Sequence, residues 1–154
     1  MNLSNQTLNA LALILTGDNK ISPYLSGPML VDFFNNIGFA EIYYQGFPTR
    51  IVYAKDKLVE INNNPRIECA INEIVDKKRF ANKSFNLEYV VNYLNDFLRI
   101  DGYEIVYKDT NYKIISSKNK NTNNLNIWKN SEIVQNTTKK SEDVNPVILK
   151  ISFS

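Results

Sequence analysis

From Leu8 to Leu98 the apolar residues of this chain return three and four positions apart, the period of a helix face. From Tyr103 they alternate, the period of a strand. Residues 4–16 predict a first helix, with Ser4 or Asn5 as N-cap and a stop at Gly17-Asp18-Asn19. Leu8, Leu11, Ala12 and Leu15 share one face, while Leu13 and Ile14 fill the other. A helix apolar on so many sides belongs at the centre of a core or against a second subunit.

Ser26-Gly27-Pro28 predicts a second helix: Ser26 or Gly27 caps it, and Pro28 sits in the first turn, where its missing N–H costs nothing. Leu30, Val31, Phe34 and Ile37 form its stripe, and Gly38 closes it. Ala40 to Tyr44 reads as a short strand, Gly46-Phe47-Pro48 as a turn, and 51–61 as a third helix. Asn62-Asn63-Asn64-Pro65 repeats the cap-then-proline device and opens a helix through Lys77. A last helix starts near Phe85 or Asn86, carries Leu87, Val90, Val91, Leu94, Phe97 and Leu98, and ends at Asp101-Gly102.

Tyr103–Tyr107 and Tyr112–Ile115, separated by Asp109-Thr110-Asn111, then predict a β-hairpin. A hairpin is not stable alone, so it must lie on the helices. Beyond Ser117 the chain turns to Ser, Asn, Thr and Lys, with small apolar islands at Leu125–Trp128 and Ile133-Val134 and a strand-like end at 147–154. The expected fold is α+β and mostly helical, with about five helices and a C-terminal β-hairpin, winged-helix-like in outline. A domain at 1–117 is followed by a polar tail, 118–154, ending in a short strand.

Composition narrows the chemistry. The 154 residues contain no histidine and one cysteine, Cys69, which removes most of the groups used for acid–base, metal and nucleophilic catalysis. A lone cysteine forms no internal disulfide, in keeping with a cytoplasmic setting. The apolar run from Leu8 to Leu15 is too short to cross a bilayer and has no basic flank, so no membrane partner is expected. The net charge of +2 divides unevenly: six lysines against Glu132, Glu142 and Asp143 put +3 on the tail and leave −1 on 1–117. A dedicated nucleic-acid domain places its basic excess in the folded body.

The remaining candidates are few. Cys69 has no base to activate it and reads as an inert, partly buried thiol. No phosphate loop, EF-hand or carboxylate ligand pattern is present, so no cofactor and no metal are expected. Asp101, Glu104 and Lys108 faintly resemble an acidic nuclease site, but a cross-strand charge pair is the plainer reading. A winged-helix reading would use Lys108, Lys113, Lys118 and Lys120 on phosphates. Its recognition helix would expose Asn86, Glu88, Asn92, Asn95, Asp96 and Arg99, where two acids face one arginine. The most site-like stretch runs from Tyr43 to Arg50, where Tyr43, Tyr44, Phe47 and Arg50 combine residue types that anchor interfaces.

Tyr24–Phe39 and Gln45–Asn62 resemble the N-terminal domains of AbiJ-type bacterial abortive-infection proteins, through Ser26, Gly27, Pro28, Phe33, Phe34, Asn35, Gly46, Phe47, Pro48 and Arg50. Leu94–Asp109 is similar as well, so the resemblance spans roughly 20–117. It implies a sensor or adaptor domain acting in phage defence beside a toxic effector such as a HEPN ribonuclease or a TIR-type NAD hydrolase. A HEPN motif needs a histidine and a TIR domain does not fit after residue 117, so the expected effector is a separate protein or lies outside this sequence. The function expected is therefore non-enzymatic recognition through protein–protein contacts, with an effector or phage protein as partner. A nucleic-acid binder and a homo-oligomerisation module are the alternatives.

Overall fold

Five helices of nine residues or more and one single-turn helix precede a two-stranded hairpin in the computed structural model, which describes residues 1–117. The helices are α1 (Asn5–Thr16), α2 (Gly27–Asn35), α3 (Arg50–Ile61), α4 (Pro65–Ile74), α5 (Lys77–Phe80) and α6 (Leu87–Asp101). The strands are β1 (Tyr103–Lys108) and β2 (Asn111–Ser116). The tail expectations, from the Leu125–Trp128 island to the strand at 147–154, lie outside the described residues.

Local chemistry sets the helix ends. Ser4, Ser26, Asn64 and Asn86 each accept a hydrogen bond from a backbone N–H in the first turn of α1, α2, α4 and α6. Pro28 and Pro65 occupy first turns. Gly17 and Gly102 close α1 and α6 in the left-handed conformation. The helix expected through Lys77 stops at Ile74 instead. Asp76 takes the N–H of Lys78 at 2.8 Å and restarts the chain as α5, which Phe80 pins into the core.

Helix α1 is the central element. It packs against α3, α4 and α6, and Leu11, Ala12, Ile14 and Leu15 have no exposed surface. Its apolar excess is thus absorbed inside the fold, and the subunit-interface alternative loses the surface that motivated it. Phe34, Leu58, Ile61, Ile67, Ile71, Ile74, Leu94 and Leu98 complete the core. Asp101, at the end of α6, returns to the start of α1: its Oδ2 accepts from the Ser4 N–H at 2.9 Å and the Thr7 hydroxyl at 2.6 Å. A carboxylate at a helix N-terminus meets the positive end of the dipole.

The hairpin pairs Tyr103 with Ser116 through to Lys108 with Asn111. Its turn residues, Asp109 and Thr110, have φ of 54° and 67°, the left-handed pair of a two-residue type I′ turn. Ile105 and Ile114 face each other and are buried, so this face lies on the helices, β1 against α6 and β2 against α4.

Asparagine side chains splice the irregular segments onto this frame. The Asn62 carboxamide accepts the Leu3 N–H at 2.9 Å and donates to the Leu3 carbonyl at 3.0 Å. Asn35 does the same for Glu41, at 2.9 Å both ways. Asn95 does it for Ile105, at 2.7 and 3.0 Å. Each carboxamide offers one donor and one acceptor in the arrangement of a neighbouring strand, and so satisfies backbone groups that no strand pairs with. This explains two departures from expectation. Ala40–Tyr44 is not a strand, because the sheet among the described residues has only β1 and β2 and Asn35 takes the backbone of Glu41. Asn95 is not on an exposed recognition surface: it is 2% exposed, in the seam between α6 and β1.

Candidate functional site

The connection from α2 to α3, residues 36–49, has little backbone pairing and is held by side chains. Phe47 sits on the ring of Tyr53 from α3, centroids 4.4 Å apart, and carries Tyr43 at 4.7 Å and Tyr44 at 5.7 Å. Tyr43 lies against the backbone of Gly27 at the head of α2. A Cβ at 27 would run into the Tyr43 ring, so glycine is what lets the ring lie this close to the head of α2, and a larger residue would displace it. Gly46 supplies the positive φ of the turn at 88°.

Arg50 braces the same region from the other side. Its Nε donates to the Leu25 carbonyl at 2.7 Å, one Nη donates to the Thr16 carbonyl, and the other pairs with Asp18 at 2.7 Å. The guanidinium also stacks on Tyr24, 4.0 Å from its centroid. Tyr43, Tyr44, Phe47 and Arg50 are thus brought to one region of the fold, but in different roles. Phe47 and Arg50 are supports, whereas Tyr43 and Tyr44 stand about half exposed at 49% and 56%, and Ile42 beside them is 80% exposed.

Next to this edge lies a cleft of about 480 Å³ lined by Ile42, Tyr44 and Pro48 together with Glu41, Asp56 and Lys57. Glu41 organises it, accepting from the Tyr53 hydroxyl at 2.7 Å and pairing with Lys57. The Lys57 ammonium holds the Glu41 carboxyl below its usual range, opposed in part by burial. Burial, and then the bond to Glu41, push the Tyr53 hydroxyl well above its usual value, so it stays a donor throughout the neutral range. Sequence reasoning missed Glu41, Tyr53 and Lys57, because reading 40–44 as a strand hid the loop that brings them together.

A depressed carboxylate stabilises the fold above its unfolded value of 4.5, and that stabilisation is lost as pH falls through the lower folded value. Glu41→Gln is therefore expected to flatten the fall in melting temperature between about pH 5 and pH 3, by the equivalent of about 1 kcal/mol or less for a partly exposed pair. Thermal melts of both proteins across that range check this. Identical slopes would contradict the assignment.

The other sequence candidates are dispersed. Asp101 caps α1, Glu104 pairs with Arg99 at 2.9 Å, and Lys108 stands at the end of β1, so the nuclease-like trio does not converge. Cys69 is exposed rather than partly buried, because the stripe Ile67, Ala70, Ile71 and Ile74 turns it outward. Lys108 and Lys113 share the outer face of the hairpin, both exposed. Lys118 and Lys120 lie outside the described residues. Among the described residues no group of three or more Cys, Asp or Glu is placed to hold a metal, and no helix is long and apolar enough to cross a membrane. Comparison with protein-family models, curated proteins and solved structures finds no match for this chain.

Proposed function

We propose that this chain is a non-enzymatic recognition domain, a sensor or adaptor, of a bacterial phage-defence system of the abortive-infection kind. It acts through protein–protein contacts made by the edge around Ile42, Tyr43 and Tyr44. The observation that carries the reading is the distribution of exposed apolar surface. Ile42, Tyr43 and Tyr44, three of the ten exposed large apolar side chains among the described residues, are consecutive, and Ile42 and Tyr44 line the cleft. Such side chains clustered beside a cleft mark interaction surface, whereas scattered ones do not. Tyrosine and an aliphatic neighbour, mounted on Phe47 and braced by Arg50, meet a partner with little left to order.

The residues behind the resemblance to AbiJ-type domains support this reading in a physical way. Ser26 caps α2, Gly27 receives Tyr43, Asn35 holds Glu41, Gly46 turns the chain, Phe47 stacks and Arg50 clamps. Together they form a mount for one loop. The cleft adds the partner's chemistry: Glu41 and Asp56 against Lys57 suit a segment presenting apolar and basic side chains.

A second reading, nucleic-acid binding, has one observation in its favour. Lys77 of α5 donates to the Thr110 carbonyl at 2.9 Å, which sets a third lysine at the tip of the hairpin that carries Lys108 and Lys113. Capture of the tagged chain from its host, with and without phage infection and with half of each sample digested by nuclease, separates the two. Recognition of protein predicts partners that survive digestion. Recovery of nucleic acid alone, released steeply by salt, would move the function to the hairpin.

A further inference from the structure

A pocket of about 400 Å³ opens on another part of the surface, between the α1–α2 connection and the segment joining α5 to α6. Its walls are apolar, supplied by Pro23, Tyr24, Met29 and Phe85, and its two charged residues are both cations, Arg79 and Lys83. No acidic residue lines it among the described residues. The volume lies in the range of small-molecule sites.

Arg79 is the unusual member. It is largely buried, yet its partners are backbone carbonyls rather than carboxylates: Ile74 at 2.6 Å, Leu15 at 3.3 Å and Pro23 at 3.5 Å. Ile74 and Leu15 lie in the last turns of α4 and α1, whose carbonyl ends offset part of a positive charge. The remainder is not neutralised by any ion pair among the described residues. A guanidinium has five N–H donors, and the three carbonyls leave some unused; Nε is buried without an acceptor. Burial lowers the Arg79 pKa to about 10, which leaves it fully cationic at neutral pH. Lys83 adds a second positive charge, and Arg50 steadies the Tyr24 wall by stacking on it. A buried cation short of counter-charge, beside apolar walls open to solvent, is complementary to an anion that carries an apolar body.

We propose that this pocket is a binding site for a small amphipathic carboxylate, its apolar part between Tyr24, Met29 and Phe85 and its carboxylate toward Arg79 and Lys83. The site is separate from the aromatic edge around Ile42 and Tyr44, so its failure would leave the recognition function standing, and the converse holds too.

Phenylbutyrate serves as probe, with the neutral phenylbutyramide and inorganic phosphate as controls, in nitrogen–proton correlation NMR of the whole chain. Phenylbutyrate is expected to shift the backbone amides of Tyr24, Leu25, Met29 and Phe85 saturably, and to bind at least about tenfold tighter than the amide, as a charge-assisted contact requires. Because Arg79 also holds three carbonyls, its replacement risks the fold, so the variants are Lys83→Gln and Met29→Glu. The first is expected to weaken binding severalfold, and the second, which sets a negative charge at the mouth, to abolish it, both with spectra otherwise unchanged. Shifts that map elsewhere, equal binding of carboxylate and amide, equal binding of phosphate, or indifference to Met29→Glu would each overturn the proposal.

Discussion

Replacing Gly17 with alanine is expected to cost about 3–5 kcal/mol of stability. Two penalties combine at this position. The residue closes α1 with φ of 78°, which an L side chain adopts at a cost of about 1–2 kcal/mol. A Cβ there would also lie 2.6 Å from the Pro23 carbonyl oxygen and 2.8 Å from the Tyr24 Cα, both backbone atoms with no rotamer to retreat into. The α1–α2 connection would have to move, and it carries the Leu25 carbonyl that Arg50 holds and the Pro23 carbonyl that Arg79 holds. Gly46→Ala is the control: its φ is 88°, but nothing lies within 4 Å of the added Cβ. It should lose only the conformational part, about 1–2 kcal/mol. Urea unfolding of the two variants measures the difference. Equal losses would show that the close approach at Gly17 has no energetic weight.

Asn95→Ala is the second large loss, at about 3–4 kcal/mol. The substitution removes two hydrogen bonds and leaves both the N–H and the carbonyl of Ile105 buried without a partner at the seam between α6 and β1. An orphaned buried backbone group costs more than the bond itself contributed. Asn95→Asp should be at least as damaging, since it keeps an acceptor for the Ile105 N–H but sets a charge against the Ile105 carbonyl. Asn92, three residues earlier and exposed, should tolerate alanine with a change within about 0.5 kcal/mol. Amide hydrogen exchange gives the local readout: in Asn95→Ala the hairpin should lose protection before α1 does.

These two positions also show what can be read from the chain before its structure and what cannot. Gly17 was legible as a helix stop because glycine after an apolar run has a single plain meaning. The Pro23 carbonyl that forbids a Cβ there comes from a loop whose course no periodicity describes. Asn95 lies in phase with Val91, Leu94 and Leu98, so the helical period placed it inward while its polarity suggested solvent. The phase was the better guide, and the carboxamide is inward because a strand end needs it. The same holds for Asn35, whose bond to Glu41 turned an expected strand into a side-chain-held loop.

The helices and hairpin were legible because caps, prolines and periods act within a few residues of one another. The site was only partly so. Aromatic content pointed to Tyr43, Tyr44 and Phe47, but their division into exposed and supporting rings depends on Tyr53 and Gly27, which belong to other elements of the fold. Arg50 looked like an interface residue and is a brace, since its donors are spent on Thr16, Leu25 and Asp18. Arg79 gave no signal at all, because Lys77-Lys78-Arg79 reads as a solvated charge run until α5 turns its last basic residue under the core.

The claim that the loop edge is the recognition surface is tested most directly by the double variant Ile42→Ser, Tyr44→Ser. Ile42 and Tyr44 are exposed, so the melting temperature should stay within about 2 °C of the parent. Parent and variant are captured side by side from the native host during infection, after nuclease digestion, and the partners are quantified. The expected result is loss of at least about tenfold of the nuclease-resistant protein partners, as for removal of a central anchor pair. Undiminished capture by a folded variant would contradict it and place recognition elsewhere on the domain.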